Sequence, residues 1–228
     1  MTLTPSPDRP PSRRGPGRPV AVDADAIARA VLDIGFLELT FAAVAARLGV
    51  GQATLYRHAR TRDELVRLGL DLALRRGEWP GLDGDWHPLL ERWAIASWRI
   101  WEQHPGAAAE VARGVIPASI VTIADSVAAA LVERGFSPNA AVLAVDLVFD
   151  LAADSRRGVE AFDAPLPGQA GGMRAMVERQ WRAPHSGEAT DDVRSAMIRA
   201  ITADPFEWFH GKLCVVLAGI RHELAGRQ

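Results

Sequence analysis

The sequence predicts an all-α protein with a small N-terminal helical domain and a larger C-terminal helical domain. Apolar side chains recur at spacings of three and four residues through most of the 228 residues, and this is the period of an amphipathic helix. Residues that start and stop helices lie between these segments, and no segment shows the alternation typical of a strand. We predict an arm at residues 1–22, a first domain at 23–78 and a second domain at 79–228.

The first 22 residues have the composition of a segment that does not pack a core. They hold six prolines and four arginines, and we expect such a segment to be disordered on its own. The first helix is predicted at residues 23–34, where Ile27, Val31 and Ile34 form an apolar stripe. The first 80 residues carry 12 arginines against 9 acidic residues, although the whole chain has a net charge of −2. The basic charge is therefore concentrated near the N-terminus.

Residues 40–65 have the pattern of two short helices joined by a tight turn and followed by a third helix. Thr40 suits the N-cap of the first, and Gly49 suits the left-handed stop after it. The second helix is predicted at residues 52–58. Thr61 then opens a helix to about residue 77, with Glu64 completing a capping box. Two short helices joined by a Gly-containing turn form the helix-turn-helix of DNA-binding proteins.

This segment resembles the tetracycline-repressor (TetR) family of transcriptional regulators. The resemblance is carried by Gly35 and Phe36, by residues 44–50 (VAARLGV), by residues 54–58 (TLYRH) and by residues 63–65 (DEL). It covers about residues 23–75. It implies a homodimeric DNA-binding regulator, typically a repressor that leaves a palindromic operator when a small-molecule effector binds the C-terminal domain.

The DNA-contacting residues are predicted on two grounds. Chemistry favours Gln52, Thr54 and Arg57 as base contacts, because Gln pairs with adenine, Arg with guanine and the Thr methyl packs on thymine. The resemblance implies phosphate contacts from Tyr56, His58, Arg62 and Thr40. Arginines on an extended Gly/Pro backbone suit a minor groove, although a solvated tail is the alternative. The predicted set is Arg13, Arg14, Arg18, Thr40, Gln52, Ala53, Thr54, Tyr56, Arg57, His58 and Arg62.

Two observations bear on this set. Tyr56 and His58 could instead only pack within the domain. Phe41 and Ala42 stand at the start of the second helix, where the tetracycline repressor has more polar residues, so that helix is not predicted to contact bases.

The C-terminal domain is predicted to contain further helices and one long loop. The helices begin near residues 88, 105, 117, 137, 191 and 205, and that from 137 continues to about residue 160. The loop spans residues 161–190 and contains a small helix near 173–181. The resemblance to the family is weak in this part of the chain.

A cluster of aromatic residues suggests an effector pocket within the second domain. A helical bundle that carries several aromatic side chains can enclose an apolar ligand, with a few polar groups to orient it. Ordinary core packing is the alternative. Asp146, Asp150 and Asp154 are spaced by four, which is typical of a solvated stripe. The predicted ligand-contacting residues are Trp93, Ser97, Trp98, Trp101, His104, Phe136, Phe149 and Asp150.

Two helices of this domain are predicted to form a homodimer interface. The last helix offers more apolar surface than one helix needs against its own subunit, and the helix from residue 137 offers a second apolar face. A two-fold axis would make the contact between two copies self-complementary. The alternative is that both faces pack within one subunit. The predicted interface residues are Val142, Val145, Phe149, Phe206, Phe209, Leu213, Leu217 and Ile220.

The sequence contains few residues that would indicate another class of function. The single cysteine, Cys214, lies in an apolar run and excludes an internal disulfide. We expect no metal, no cofactor, no enzymatic activity and no membrane span, and we expect a cytoplasmic protein. Two alternatives remain open: an architectural DNA-binding protein that needs no effector, and a helical small-molecule carrier or enzyme.

Overall fold

The computed structural model describes residues 22–166, 172–183 and 191–223. This part of the chain folds into eleven α-helices and contains no strand, so the predicted fold class is confirmed. The helices are α1 (Ala24–Ile34), α2 (Phe41–Leu48), α3 (Gln52–Leu55), α4 (Arg62–Arg76), α5 (Trp86–Gln103), α6 (Ala107–Ala112), α7 (Ala118–Val132), α8 (Pro138–Asp163), α9 (Gly172–Arg182), α10 (Asp191–Thr202) and α11 (Pro205–Glu223).

Helices α1 to α4 form the head of the molecule, and their ends follow the local signals of the sequence. The Thr40 and Thr61 hydroxyls accept from Ala43 N and Glu64 N, and Gly49 closes α2 at φ 68°. The carboxylate of Glu64 accepts from Arg60 N at 2.6 Å rather than from Thr61 N. The capping box is therefore confirmed for its threonine and displaced by one residue for its glutamate.

Helix α1 packs on α4 at very short range. A Cβ on Gly69 would lie 2.4 Å from Val31 Cγ1 and 3.4 Å from the Phe36 ring. A side chain at this position would force Val31 or α1 to shift, so the glycine allows these two helices to pack closely.

Helices α5 to α11 form the body, with α8 in contact with α5, α6, α7, α9 and α11. One core cluster joins α5, α7, α8 and α11 and includes Trp98, Phe209 and Leu213. The other cluster joins the head to the body, because it contains Leu70 and Leu74 of α4 together with Ile100 and Trp101 of α5. Head and body thus share buried apolar surface, and that surface fixes the direction of α4.

Candidate DNA interface and ligand cavity

The turn after α2 presents a short exposed surface that contains most of the predicted base contacts. Helix α3 has only four residues, and residues 56–58 continue it as turns, so it is shorter than predicted. Leu55 is fully buried and anchors it. Gln52, Ala53, Tyr56, Arg57 and His58 are exposed, and Thr54 is half-buried. The structure therefore brings these six predicted residues together on one side of the head.

Tyr56 is held by the helix before it. Its ring stacks on Phe41 with centroids 4.3 Å apart and planes 14° apart, yet about half of the residue remains exposed. Phe41, at the start of α2, therefore orients the Tyr56 ring on the exposed surface. Thr40 stays near this surface as the N-cap of α2.

Arg62 has protein partners that the sequence did not indicate. Its guanidinium donates to Glu110 Oε1 at 2.7 Å and to the carbonyls of Phe36 and Leu39 at 3.3 Å. The hydrogen bond to Glu110 raises the pKa of Arg62. Arg62 therefore also forms a bridge between α4 and α6, and its engaged donors are Nε and one terminal nitrogen. Its side chain is 37% exposed, and its contact with the phosphate backbone stays a prediction. Arg13, Arg14 and Arg18 lie outside the described residues.

The body contains a cavity of about 360 Å³ between α4, α5, α7 and α8. Its wall is mainly apolar, with Trp79, Trp101 and Phe149 as the aromatic residues. The lining residues are Leu74, Trp79, Ser97, Trp101, Val111, Ile116, Ile120, Ile123, Ala124, Asp125, Ala128, Val142, Val145, Asp146, Phe149, Asp150 and Ala153. A space of this size and character suits one small organic molecule.

Four of the eight predicted ligand residues line this cavity, namely Ser97, Trp101, Phe149 and Asp150. The other four do not line it, and each has another partner. Trp93 stacks on Trp79, and Trp98 stacks on Phe209. Phe136 meets Trp86 edge to face, and His104 meets Phe36 at the end of α5, where burial lowers the pKa of His104.

Sequence reasoning missed the part of the wall that comes from α7 and from the corner before it. Ile116, Ile120 and Ile123 stand at spacings of three and four and could have been recognised as one face. The period alone does not show whether such a face meets a neighbouring helix or an empty space.

All the charged residues in the lining are acidic. They are Asp125, Asp146 and Asp150. Burial, and then the carboxylates of Asp146 and Asp154, raise the pKa of Asp150. Trp101 Nε1 is buried and lacks a hydrogen-bond partner among the described residues.

Residues 24–68 match the model of a family of bacterial regulatory proteins, the tetR family. The matched segment contains the exposed surface described above and the helix that carries it. The N-terminal head of this chain is therefore similar to the tetR family of bacterial regulatory proteins.

Solved structures of TetR-family proteins share the fold over almost the whole chain. ActR from Streptomyces coelicolor, solved in complex with actinorhodin, is 19% identical with a TM-score of 0.73, over 91% of this chain and 99% of that one. A possible TetR-family regulator from Streptomyces coelicolor A3(2) is 23% identical with a TM-score of 0.72, over 88% and 99%. A TetR variant from Acinetobacter baumannii AYE, solved with minocycline, is 21% identical with a TM-score of 0.66, over 90% and 94%. No curated protein matches the chain.

The residues predicted for the dimer interface lie mostly inside the subunit. Phe209, Leu213, Leu217 and Ile220 face α5 and α8 and are at most 2% exposed. Phe206 is half-buried in the same cluster, and Val145 and Phe149 line the cavity. Only Val142 is well exposed, and it also lines the cavity. The apolar stripe of α11 therefore serves the core of one subunit, which is the alternative that the sequence left open.

The opposite sides of α8 and α11 do carry exposed apolar residues. Leu143 and Leu147 of α8 and Trp208 and Val215 of α11 are exposed.

None of the described helices is long and apolar enough to cross a membrane.

Proposed function

We propose that this protein is a dimeric TetR-family repressor that releases its operator when a small molecule occupies the cavity between α4, α5, α7 and α8. Residues 52–58 of each head contact one major groove, and the two half-site centres lie about 34–36 Å apart. The observation that carries the proposal is the position of the cavity. Its wall includes the corner between α6 and α7, residues 110–120, which is hydrogen-bonded to α4.

The link from cavity to head is a short chain of contacts. Val111 at the end of α6, and Ile116 and Ile120 around the start of α7, line the cavity. In the same corner, Glu110 bonds Arg62 at the start of α4. Asp71 Oδ1 in the middle of α4 accepts from Ser119 N at 3.0 Å. A ligand that displaces this corner therefore displaces α4 at two points.

The direction of the effect follows from linkage. A ligand lowers operator affinity only if it binds more tightly to the arrangement of the heads that does not fit DNA, and the operator then lowers ligand affinity by the same factor. Selection of bound sequences from a random DNA pool tests the proposal. Enrichment of a palindrome supports a repressor, whereas sequence-independent binding with a steep salt dependence would indicate an architectural protein.

The dimer is proposed to form through the outer sides of α8 and α11, with a second copy of the chain as the occupant. Leu143 and Leu147 offer branched apolar side chains, while Gly211 and Gly219 leave open space beside Val215, since a Cβ on either glycine would meet nothing within 4 Å. Small residues next to one exposed valine allow two copies of α11 to approach closely about a two-fold axis.

We predict that Gln52→Ala relaxes base preference at one operator position, with a loss of about 1–3 kcal/mol on the preferred base. Tyr56→Ala is expected to weaken binding to all sequences alike. Tyr56→Phe is the matched control, because it keeps the stack on Phe41 and removes only the hydroxyl. Binding to a library of operator variants measures all three. An unchanged preference profile for Gln52→Ala would rule out a base contact.

We predict that removal of residues 1–19 lowers operator affinity and the salt dependence of binding. Each phosphate contact that is lost should reduce the log–log salt slope by about 0.9. Fluorescence anisotropy with a labelled operator at several salt concentrations gives the slope. The same slope for the truncated and full-length proteins would exclude the arm from the interface.

A further inference from the structure

We infer that the cavity between α4, α5, α7 and α8 takes a lipophilic organic cation with an aromatic body and one hydrogen-bond acceptor. The inference rests on the proposed function and specifies the chemical class of the ligand.

The charge follows from the residues that line the cavity. Asp125, Asp146 and Asp150 are its charged residues, and no lysine, arginine or histidine accompanies them. None of the three carboxylates has a hydrogen bond or an ion pair with another residue in the part of the chain that the structure describes. All three residues are exposed, so this unpaired negative charge lies where the apolar cavity meets solvent, and there it attracts an organic cation and repels an anion.

The raised pKa of Asp150 agrees with this picture. Like charges from Asp146 and Asp154 add to the effect of burial, and a positive group at this edge would relieve the repulsion. A metal ion is a poor fit, because the described residues contain no group of three or more histidine, cysteine or acidic side chains that could hold one.

The hydrogen-bond acceptor of the ligand is inferred from another residue of the cavity wall, Trp101. Trp101 lines the cavity and is 5% exposed. Its Nε1 is buried and has no partner among the described residues. A buried indole N–H nearly always finds an acceptor. Because Trp101 belongs to the cavity wall, we infer that its ring turns when the ligand binds and that a ligand atom then accepts from this N–H.

The aromatic body follows from the remaining surface. Trp79, Trp101 and Phe149 face the same space as the isoleucines of the α7 side. Flat rings bury well between such groups, and aromatic faces also attract positive charge. A cavity of about 360 Å³ accommodates a three-ring molecule.

Three acridines test the inference, because they share one ring system and differ in charge. They are the 10-methylacridinium cation, neutral acridine and the acridine-9-carboxylate anion, titrated by calorimetry into the full chain at a pH where acridine is neutral. The double variant Asp146→Asn with Asp150→Asn should lower the affinity for methylacridinium about tenfold and leave acridine nearly unchanged. The control is Asp191→Asn with Asp192→Asn, which removes the same charge from exposed positions of α10 outside the cavity.

Trp101→Phe tests the acceptor separately. Acridine has a free ring nitrogen that can accept from Nε1, whereas the nitrogen of methylacridinium is alkylated. The variant should therefore weaken acridine several-fold more than methylacridinium. If Trp101→Phe lowers the affinity for both ligands equally, the ligand does not accept a hydrogen bond from Trp101.

The cation assignment is overturned if methylacridinium does not bind, if the aspartate variant weakens both ligands equally, or if the carboxylate anion binds as tightly as the cation. Operator binding is measured on the same preparation without ligand. If the protein binds an operator but fails the acridine test, only the proposed ligand class is rejected. If it binds no operator, the proposed function is rejected.

Discussion

Val215→Glu is expected to give a folded, helical monomer that has lost operator binding. Val215 is 73% exposed in the single subunit, so a carboxylate there should hardly change the free energy of unfolding of the monomer. In a two-fold contact through α11, the same carboxylate is taken out of water beside its own symmetry mate, which costs several kcal/mol. In a dimer, binding of the first head holds the second head near its half-site and so raises its effective concentration. A monomer lacks this gain, which is worth about 100-fold or more in operator affinity.

Sedimentation equilibrium and circular dichroism together measure this outcome. Val121→Glu is the matched control, because Val121 is 55% exposed on α7, a helix that is not part of the proposed contact, and this variant should stay dimeric. Leu217→Glu would not be informative, since Leu217 is fully buried within the subunit and a charge there is expected to unfold it. A Val215→Glu protein that remains a dimer places the interface elsewhere.

Loss of the Arg62–Glu110 pair is expected to loosen the head from the body. The pair spans 48 residues of sequence with a 2.7 Å hydrogen bond, and the Glu110 side chain is 10% exposed. A double-mutant cycle with Arg62→Ala and Glu110→Ala should give a coupling free energy of about 1–2 kcal/mol. This lies below the value for a fully buried pair, because 37% of the Arg62 side chain is exposed. Operator affinity should fall as well, since the heads are then less firmly positioned.

Chemical denaturation supplies the coupling free energy, and the operator titration supplies the affinity. Arg157 and Asp154 form the control cycle, because they pair within α8 and are both well exposed. Their coupling should be well under 1 kcal/mol. Equal coupling free energies from the two cycles would show that the Arg62–Glu110 pair does not hold the head to the body.

The features that the sequence predicted well depend on neighbouring residues. Thr40, Gly49 and Thr61 mark helix ends through hydrogen bonds within four residues or through one backbone angle. Such interactions are encoded locally and hardly depend on the rest of the fold. The helices of the head and most of those of the body could therefore be placed within a few residues.

The features that the sequence did not predict depend on residues far apart in the chain. Trp98 and Trp101 stand on the same helix three residues apart, yet one stacks on Phe209 of α11 and the other lines the cavity. Helical period identifies an apolar face but not what covers it. For the same reason Leu217 and Val215, two residues apart, were not separated into core and surface, and Glu110 was not recognised as the partner of Arg62.

The close approach of α1 and α4 at Gly69 has a consequence for operator choice. Because α1 packs closely against α4 where Gly69 has no side chain, we expect the head to turn as one rigid unit when α4 turns. The distance between the two DNA-contacting surfaces of a dimer is then governed by the angle between its two α4 helices. That angle can change while residues 52–58 stay the same. Two regulators with identical base contacts can therefore differ in the length of operator spacer that they accept.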